Sequence, residues 1–261
     1  MIEVLIPNKC VAEVEYVFHC LFEEFLGVEY SITTDSKLLN YQVSVGGRHF
    51  IINNHFFDKD DVNLLYIAES IPSKVEQGKL VINGQPFDTI CLFGSLTPIY
   101  KRGYIEVDND IIASTFFMLS RWEEYANKER DMHNRFAATS SLAYKHEFLE
   151  RPIVNEYVEI LWQLLIEIGY EGKRKIKKFT MVPTHDVDKP YMWGENTNMF
   201  RSIGFSIFKK KDFRESLRKV KYAFLMKDPY DTHSRLMDLS EKIGVQSNFF
   251  FIAGGNFRHE Q

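Results

Sequence analysis

The stretch that most constrains this chain is Phe179-Thr180-Met181-Val182-Pro183-Thr184-His185-Asp186-Val187-Asp188. An apolar, β-prone run feeding a polar cluster is the form of a buried strand that delivers chemistry at its carboxyl end. Asp186 and Asp188 are two positions apart, and an extended backbone puts both carboxylates on one side. Two carboxylates held close repel each other unless a cation or a shared proton relieves them. One reading is a divalent metal, with one Asp as ligand and the other as base for a metal-bound water. The other is a solvated turn, because Asp and Pro are also loop residues.

Taken with Asp228-Pro229-Tyr230 and Asn248-Phe249-Phe250-Phe251, the run Thr184-His185-Asp186-Val187-Asp188 resembles the start of a NodB-type polysaccharide deacetylase domain. That family opens with a strand ending in T-F-D-D or S-F-D-x-D, followed by a helix and a T-F-F strand. His185 stands where the family usually has Phe. In the D-x-D branch the resemblance implies Asp186 as catalytic base and Asp188 as metal ligand. It implies a divalent metal, Zn²⁺ before others, and a carbohydrate substrate that loses N- or O-acetyl groups. It also implies a distorted β/α barrel, of which residues 179–261 hold only the opening βα units. The family's H-[ST]-x-x-H motif supplies two further histidine ligands, and none occurs before Gln261. The expectation is therefore a truncated barrel with an incomplete site, which binds metal poorly and turns over nothing by itself. A non-catalytic glycan-binding or scaffold protein with a deacetylase-like start is the alternative. An HD-type metal phosphohydrolase is disfavoured, because its His-Asp pair belongs on a helix and His185-Asp186 follows a strand.

The rest of the chain reads as a separate mixed α/β domain over residues 1–170, joined by a charged linker at 171–178. Residues 2–6 predict a short strand. Val14, Phe18, Leu21, Phe22 and Phe25 predict a helix from Lys9 to Leu26, stopped by Gly27. His19 and Cys20 are expected to pack within it. Strands are predicted over 30–33, 41–45, 50–52, 80–82 and 89–93, with turns at Gly46-Gly47 and Asn83-Gly84. Asp108, Asn109 or Asp110 is placed to cap a buried helix running to about Tyr125. Asp131, His133, Asn134 and Arg135 suit a solvated loop, or an anion or sugar contact. Arg151-Pro152 starts a helix with Val154, Val158, Leu161, Trp162, Leu165 and Ile168 inward. The stretch Ser120–Tyr125, with Asp131, His133, Arg135-Phe136 and Arg151–Val154, resembles an uncharacterised module that precedes deacetylase domains in many bacterial proteins.

After the Asp pair, Lys209-Lys210-Lys211, Arg214, Arg218, Lys219 and Lys221 make a basic insertion, read as a solvated helical face. Asp231 or Thr232 is expected to cap a helix with Leu236, Leu239 and Ile243 inward. Asn248–Ile252 is expected to be a strand buried on both faces. With its barrel neighbours missing, Phe249–Phe251 would expose an aromatic edge, which predicts cover by the N-terminal domain or a homodimer through that strand.

A net charge of −4 in 261 residues argues against nucleic acid as a partner. No apolar stretch approaches the ~20 residues of a membrane span. The start Met1–Pro7 lacks a signal-peptide pattern, and Cys10, Cys20 and Cys91 read as three buried thiols in a reducing compartment. A cytoplasmic location is expected.

Overall fold

The computed structural model describes residues 1–58, 71–176, 178–191, 203, 205, 213–225, 228 and 230–251. The chain divides into two compact units, Met1–Ile176 and Lys177–Gln261, each mixing helices with strands. Lys209-Lys210-Lys211 and Ile252 lie outside the described residues.

In the first unit, alternating apolar residues make β1 (Ile2–Pro7), with Ile2, Val4 and Ile6 buried and Glu3 exposed. The amphipathic stripe that follows makes α1 (Val11–Phe18), which continues into wider π-type turns over His19–Leu26. Gly27, in a left-handed conformation at φ 66°, ends it as expected. Val14, Val17, Phe18, Leu21, Phe22 and Leu26 enter the core. His19 does not pack inside: it is exposed, with Nδ1 3.1 Å from Glu23, because it lies on the polar side of the stripe. All three cysteines are free, but only Cys91 is buried; Cys10 and Cys20 are half-buried.

Six strands form the main sheet in the order β2 (Tyr30–Asp35), β1, β3 (Tyr41–Val45), β4 (Arg48–Ile52), β8 (Tyr104–Val107), β7 (Pro98–Lys101). β1 pairs parallel with β2, and β4 parallel with β8; the other neighbours are antiparallel. β1, β2, β4 and β8 therefore all run the same way. The hairpin of β5 (Glu76–Ile82) and β6 (Gln85–Cys91) is a second sheet. Positive φ at Gly46 and Gly47 makes the tight turn between β3 and β4, where the predicted glycine pair stands. The β7–β8 hairpin was not visible in the sequence, since its strands are four residues each and the first begins at a proline.

α2 (Ile111–Leu119) is capped by Asp110, whose Oδ1 accepts from Ala113 N at 2.9 Å. That bond is worth about 1 kcal/mol. The predicted single helix to Tyr125 is two helices. The Ser120 hydroxyl donates back to Phe116 O at 2.6 Å, Arg121 turns left-handed at φ 56°, and α3 (Trp122–Ala126) starts afresh. After a short helix α4 (Leu142–Lys145), α5 (Ile153–Glu167) buries Tyr157, Leu161, Leu164 and Leu165. Its Tyr157 hydroxyl donates to Ile90 O at 2.6 Å, tying helix to hairpin. The chain just beyond is tied down as well: Lys175 N donates to Leu26 O at 2.6 Å, and Arg174 pairs with Glu159 at 2.7 Å. The charged stretch read as a linker is thus docked on the first unit as far as Lys175.

In the second unit, β9 (Thr184–Val187) pairs parallel with β10 (Asn248–Phe251), Asp186 opposite Phe250. α6 (Phe213–Phe224) and α7 (His233–Lys242) complete the described elements. The apolar run Phe179–Val182 is not strand, and Phe179 is 90% exposed. The strand begins two residues after Val182, where the chain meets β10. On α7, Leu239 and Ile243 are exposed, and only Leu236 of the predicted stripe is half-buried. β10 is not buried on both faces either: Phe250 and Phe251 are 58% and 54% exposed. Both departures have one cause. The described residues of this unit supply no apolar layer for these faces to pack on.

Candidate functional site

β9 alternates as its period of two demands: His185 and Val187 are half-buried, Asp186 and Asp188 exposed. The inner face is held by aromatic contacts. His185 stacks on Phe249 with ring centroids 4.8 Å apart, and its Nε2 lies 3.2 Å from Ser247 Oγ. Ser247 in turn bonds Ser240 of α7 at 2.7 Å. His233 packs edge-on to Phe249 at 5.4 Å. The flat ring of His185 thus packs on Phe249 while its polar edge reaches the Ser247 hydroxyl.

Asp188 follows the last residue of β9 in a bend. Both carboxylates line one open cleft of about 450 Å³, with Tyr230, Thr232, His233 and Phe249. Position 186 on the strand and 188 just past it put the pair at the carboxyl end of a parallel strand. Among the described residues no group of three His, Cys, Asp or Glu side chains comes together to hold a metal ion. Two carboxylates fall short of the three or four protein ligands of a zinc site. The described residues do not make a metal centre on their own.

A second polar cluster, absent from the sequence reading, lies at the carboxyl ends of β4 and β8. Asn53 and Asp108 are the residues immediately after those strands, and Asn53 N donates to Val107 O at 2.9 Å, extending the pairing. Asp108 Oδ1 accepts from Asn53 Nδ2 at 3.0 Å and meets His55 Nε2 at 2.8 Å. Burial pushes the Asp108 carboxyl up, but hydrogen bonds from Asn53, Ser95 and His55 outweigh it and hold the group below its usual value. Against this carboxylate His55 Nε2 carries the proton, which leaves Nδ1 as acceptor in the neutral ring. Asp110 fixes the same segment from below, Oδ2 accepting from His55 N at 2.8 Å. Asp110 is fully buried, and burial raises its carboxyl to about 6 against the backbone donors that would lower it. Between the two acids, Asn109 is buried with neither amide atom hydrogen-bonded, and Asn53 Oδ1 is likewise buried without a partner. Each such atom costs about 1–3 kcal/mol. The 53-residue separation of His55 and Asp108 hides this cluster from any local motif search.

Residues 2–170 match the model of a family of unknown function, DUF7033. The chain belongs to this family. No curated protein matches it, and no solved structure does. Within the DUF7033 segment, the residues singled out near its middle hold local structure. Arg121 grips Glu124 through two bonds of 2.8 and 2.6 Å, and Glu123 Oε1 accepts from Leu142 N. The Asp131 carboxylate accepts from His133 N at 2.8 Å and Arg135 N at 2.9 Å, and its Oδ2 meets the Arg135 guanidinium at 3.1 Å. Asn134, at φ 56°, makes the turn. Arg151 forks onto Glu156 at 3.0 and 2.7 Å across the start of α5. Among the described residues no helix is long and apolar enough to cross a membrane.

Proposed function

We propose that the unit Lys177–Gln261 is the opening part of a NodB-like β/α barrel, in a divalent-metal hydrolase that removes N- or O-acetyl groups from a glycan or glycan precursor. Asp186 takes the role of proton acceptor and Asp188 that of metal ligand. The observation that carries this reading is the pair of exposed carboxylates at the carboxyl end of parallel strand β9, lining one cleft. Parallel strands deliver catalytic side chains at that end. Since the described residues supply too few ligands, the rest of the shell has to come from outside them, and Zn²⁺ is the ion we assign to it. The second reading, glycan binding without hydrolysis, is favoured by the exposed rings of Phe250 and Phe251, which offer faces on which a sugar can stack.

Acetate release from an acetylated chitooligosaccharide by the natural full-length protein, with Zn²⁺ supplied, separates the two. Under the hydrolase reading Asp186→Asn lowers the rate about 10²–10⁴-fold, the usual share of a general base. Binding of the oligosaccharide with no acetate release by the wild type assigns the unit to glycan binding.

A further inference from the structure

We propose that the carboxyl edge of the six-stranded sheet in the DUF7033 unit is a binding site for a hydrogen-bond-donating ligand, a hydroxyl or amine group, held by His55 and Asn53. This is separate from the Asp186–Asp188 cleft and does not rest on the function proposed for it.

Three observations carry it. The first is placement. Asn53 and Asp108 follow β4 and β8, which are parallel neighbours, and Asp110 caps α2. In open α/β sheets, ligands bind outside the carboxyl ends of the parallel strands.

The second is how tightly the edge is held. Three segments far apart in sequence lock together here. Asp110 N donates to Phe93 O at 2.9 Å. Gly94 lies so close that a Cβ on it would fall 1.9 Å from Asp108 O and 2.8 Å from His55 Cδ2, and its φ of +91° also favours glycine. His55 is thus fixed at its backbone by Asp110, at its ring by Asp108 and along its side by Gly94. Such support from surrounding groups is what a preorganised binding residue needs.

The third is what remains unsatisfied. Asn53 donates to Asp108 and leaves a buried Oδ1 without a partner. Asn109, fully buried in the same turn, has neither amide atom bonded. The His55 side chain keeps 39% of its surface exposed, with Nε2 committed to Asp108. Asn53 Oδ1 is an acceptor, and so is His55 Nδ1 in the neutral ring. With the carboxylates of Asp108 and Asp110 beside them, an anion is repelled and a donor is selected.

The test uses the full chain with its histidine rings labelled for NMR. Glucose supplies hydroxyls alone, ethylamine an ammonium alone, and inorganic phosphate an anion. The expected result is a saturable shift of the His55 ring resonance with glucose or ethylamine and none with phosphate at the same concentration. Which of the two shifts it identifies the donor. Asn53→Leu, checked for an unchanged unfolding midpoint, weakens that binding at least tenfold. A His55 ring that no probe moves, or that phosphate moves as strongly, overturns the proposal, as does undiminished binding in a folded Asn53→Leu protein.

Discussion

The two units handle apolar side chains in opposite ways. In Met1–Ile176, Phe18, Phe22, Phe50, Phe57 and Tyr157 are sealed from solvent, and the whole buried core cluster runs from Ile2 to Ile168. In Lys177–Gln261, no described apolar side chain is buried; the buried side chains described there are those of Lys219 and Ser240. Yet both sequences carry the periodic apolar pattern of packed elements. A pattern states which face wants cover, and the cover itself is a property of the whole assembly. The first unit finds its second layer within its own chain, sheet against helices. The second presents Phe179, Val182, Ile243, Phe250 and Phe251 to solvent. Hydrophobic stabilisation follows the area removed from water, so among the described residues the first unit holds nearly all of it.

The sharpest way to break this contrast is a core truncation. Phe50, fully buried on β4, should cost about 3–5 kcal/mol when changed to Ala. In denaturant unfolding followed by circular dichroism, the loss should appear in the transition of the first unit. A loss under 1 kcal/mol would mean that its core is far looser than its burial indicates.

The next effect is electrostatic and belongs to the same unit. Asp110 has its carboxyl raised from 3.8 to about 6 by burial, opposed by the N–H groups of Ala113, His55 and Phe56. A raised value means that the folded state holds the proton more tightly than the unfolded one. The stability from this group is complete below the unfolded value and is lost as pH rises through about 6. A shift of roughly two units corresponds to on the order of 3 kcal/mol. Unfolding free energies measured at steps from pH 4 to pH 7 should fall across that window, and Asp110→Asn should flatten the slope. Asp108, whose value is lowered, acts on the acid side of the ordinary carboxyl value and leaves the window clear.

Third is Gly94→Ala, which sets a methyl against Asp108 O at a backbone φ of +91°. A cost of about 1–3 kcal/mol is expected. Loss of the His55–Asp108 geometry should show as a changed His55 ring shift. A variant as stable as the wild type would show that the loop at 93–95 is free to move away.

These examples also mark what the sequence could and could not disclose. The stripe from Val14 to Phe25, the glycine turn at 46–47 and the Asp110 cap depend on neighbours in the chain, so each was readable. The helix break at Arg121 was not, because no Gly or Pro marks it; a serine back-bond and a left-handed arginine make it. The start of β9 was misplaced onto Phe179–Val182, because the partner β10 decides where the strand begins, more than 60 residues on. Asp186 and Asp188 were found at the carboxyl end of a strand because alternation is local. His55 and Asp108 were missed because only the parallel pairing of β4 with β8 brings them together.

The smallest effect on stability is expected where the exposed surface is largest. Phe250 contributes little to the fold of a single chain, so Phe250→Ser should leave the unfolding free energy within about 0.5 kcal/mol. Association is a different matter. Among the described residues β9 and β10 pair only with each other, so each keeps an open edge beside exposed rings. Open, apolar edges recruit other strands, and contiguous apolar patches of a few hundred Å² are uncommon on monomers. A second copy brings the same edge and the same rings, and a two-fold pairing satisfies both at once. Light scattering coupled to size exclusion should therefore find a dimer of the wild-type chain at micromolar concentration, and Phe250→Ser should shift it toward monomer, with equal unfolding midpoints once both are diluted to where the wild type is monomeric. A wild-type monomer at that concentration, with the amides of Phe249–Phe251 slow to exchange, would rule out the dimer and place the cover within the chain itself.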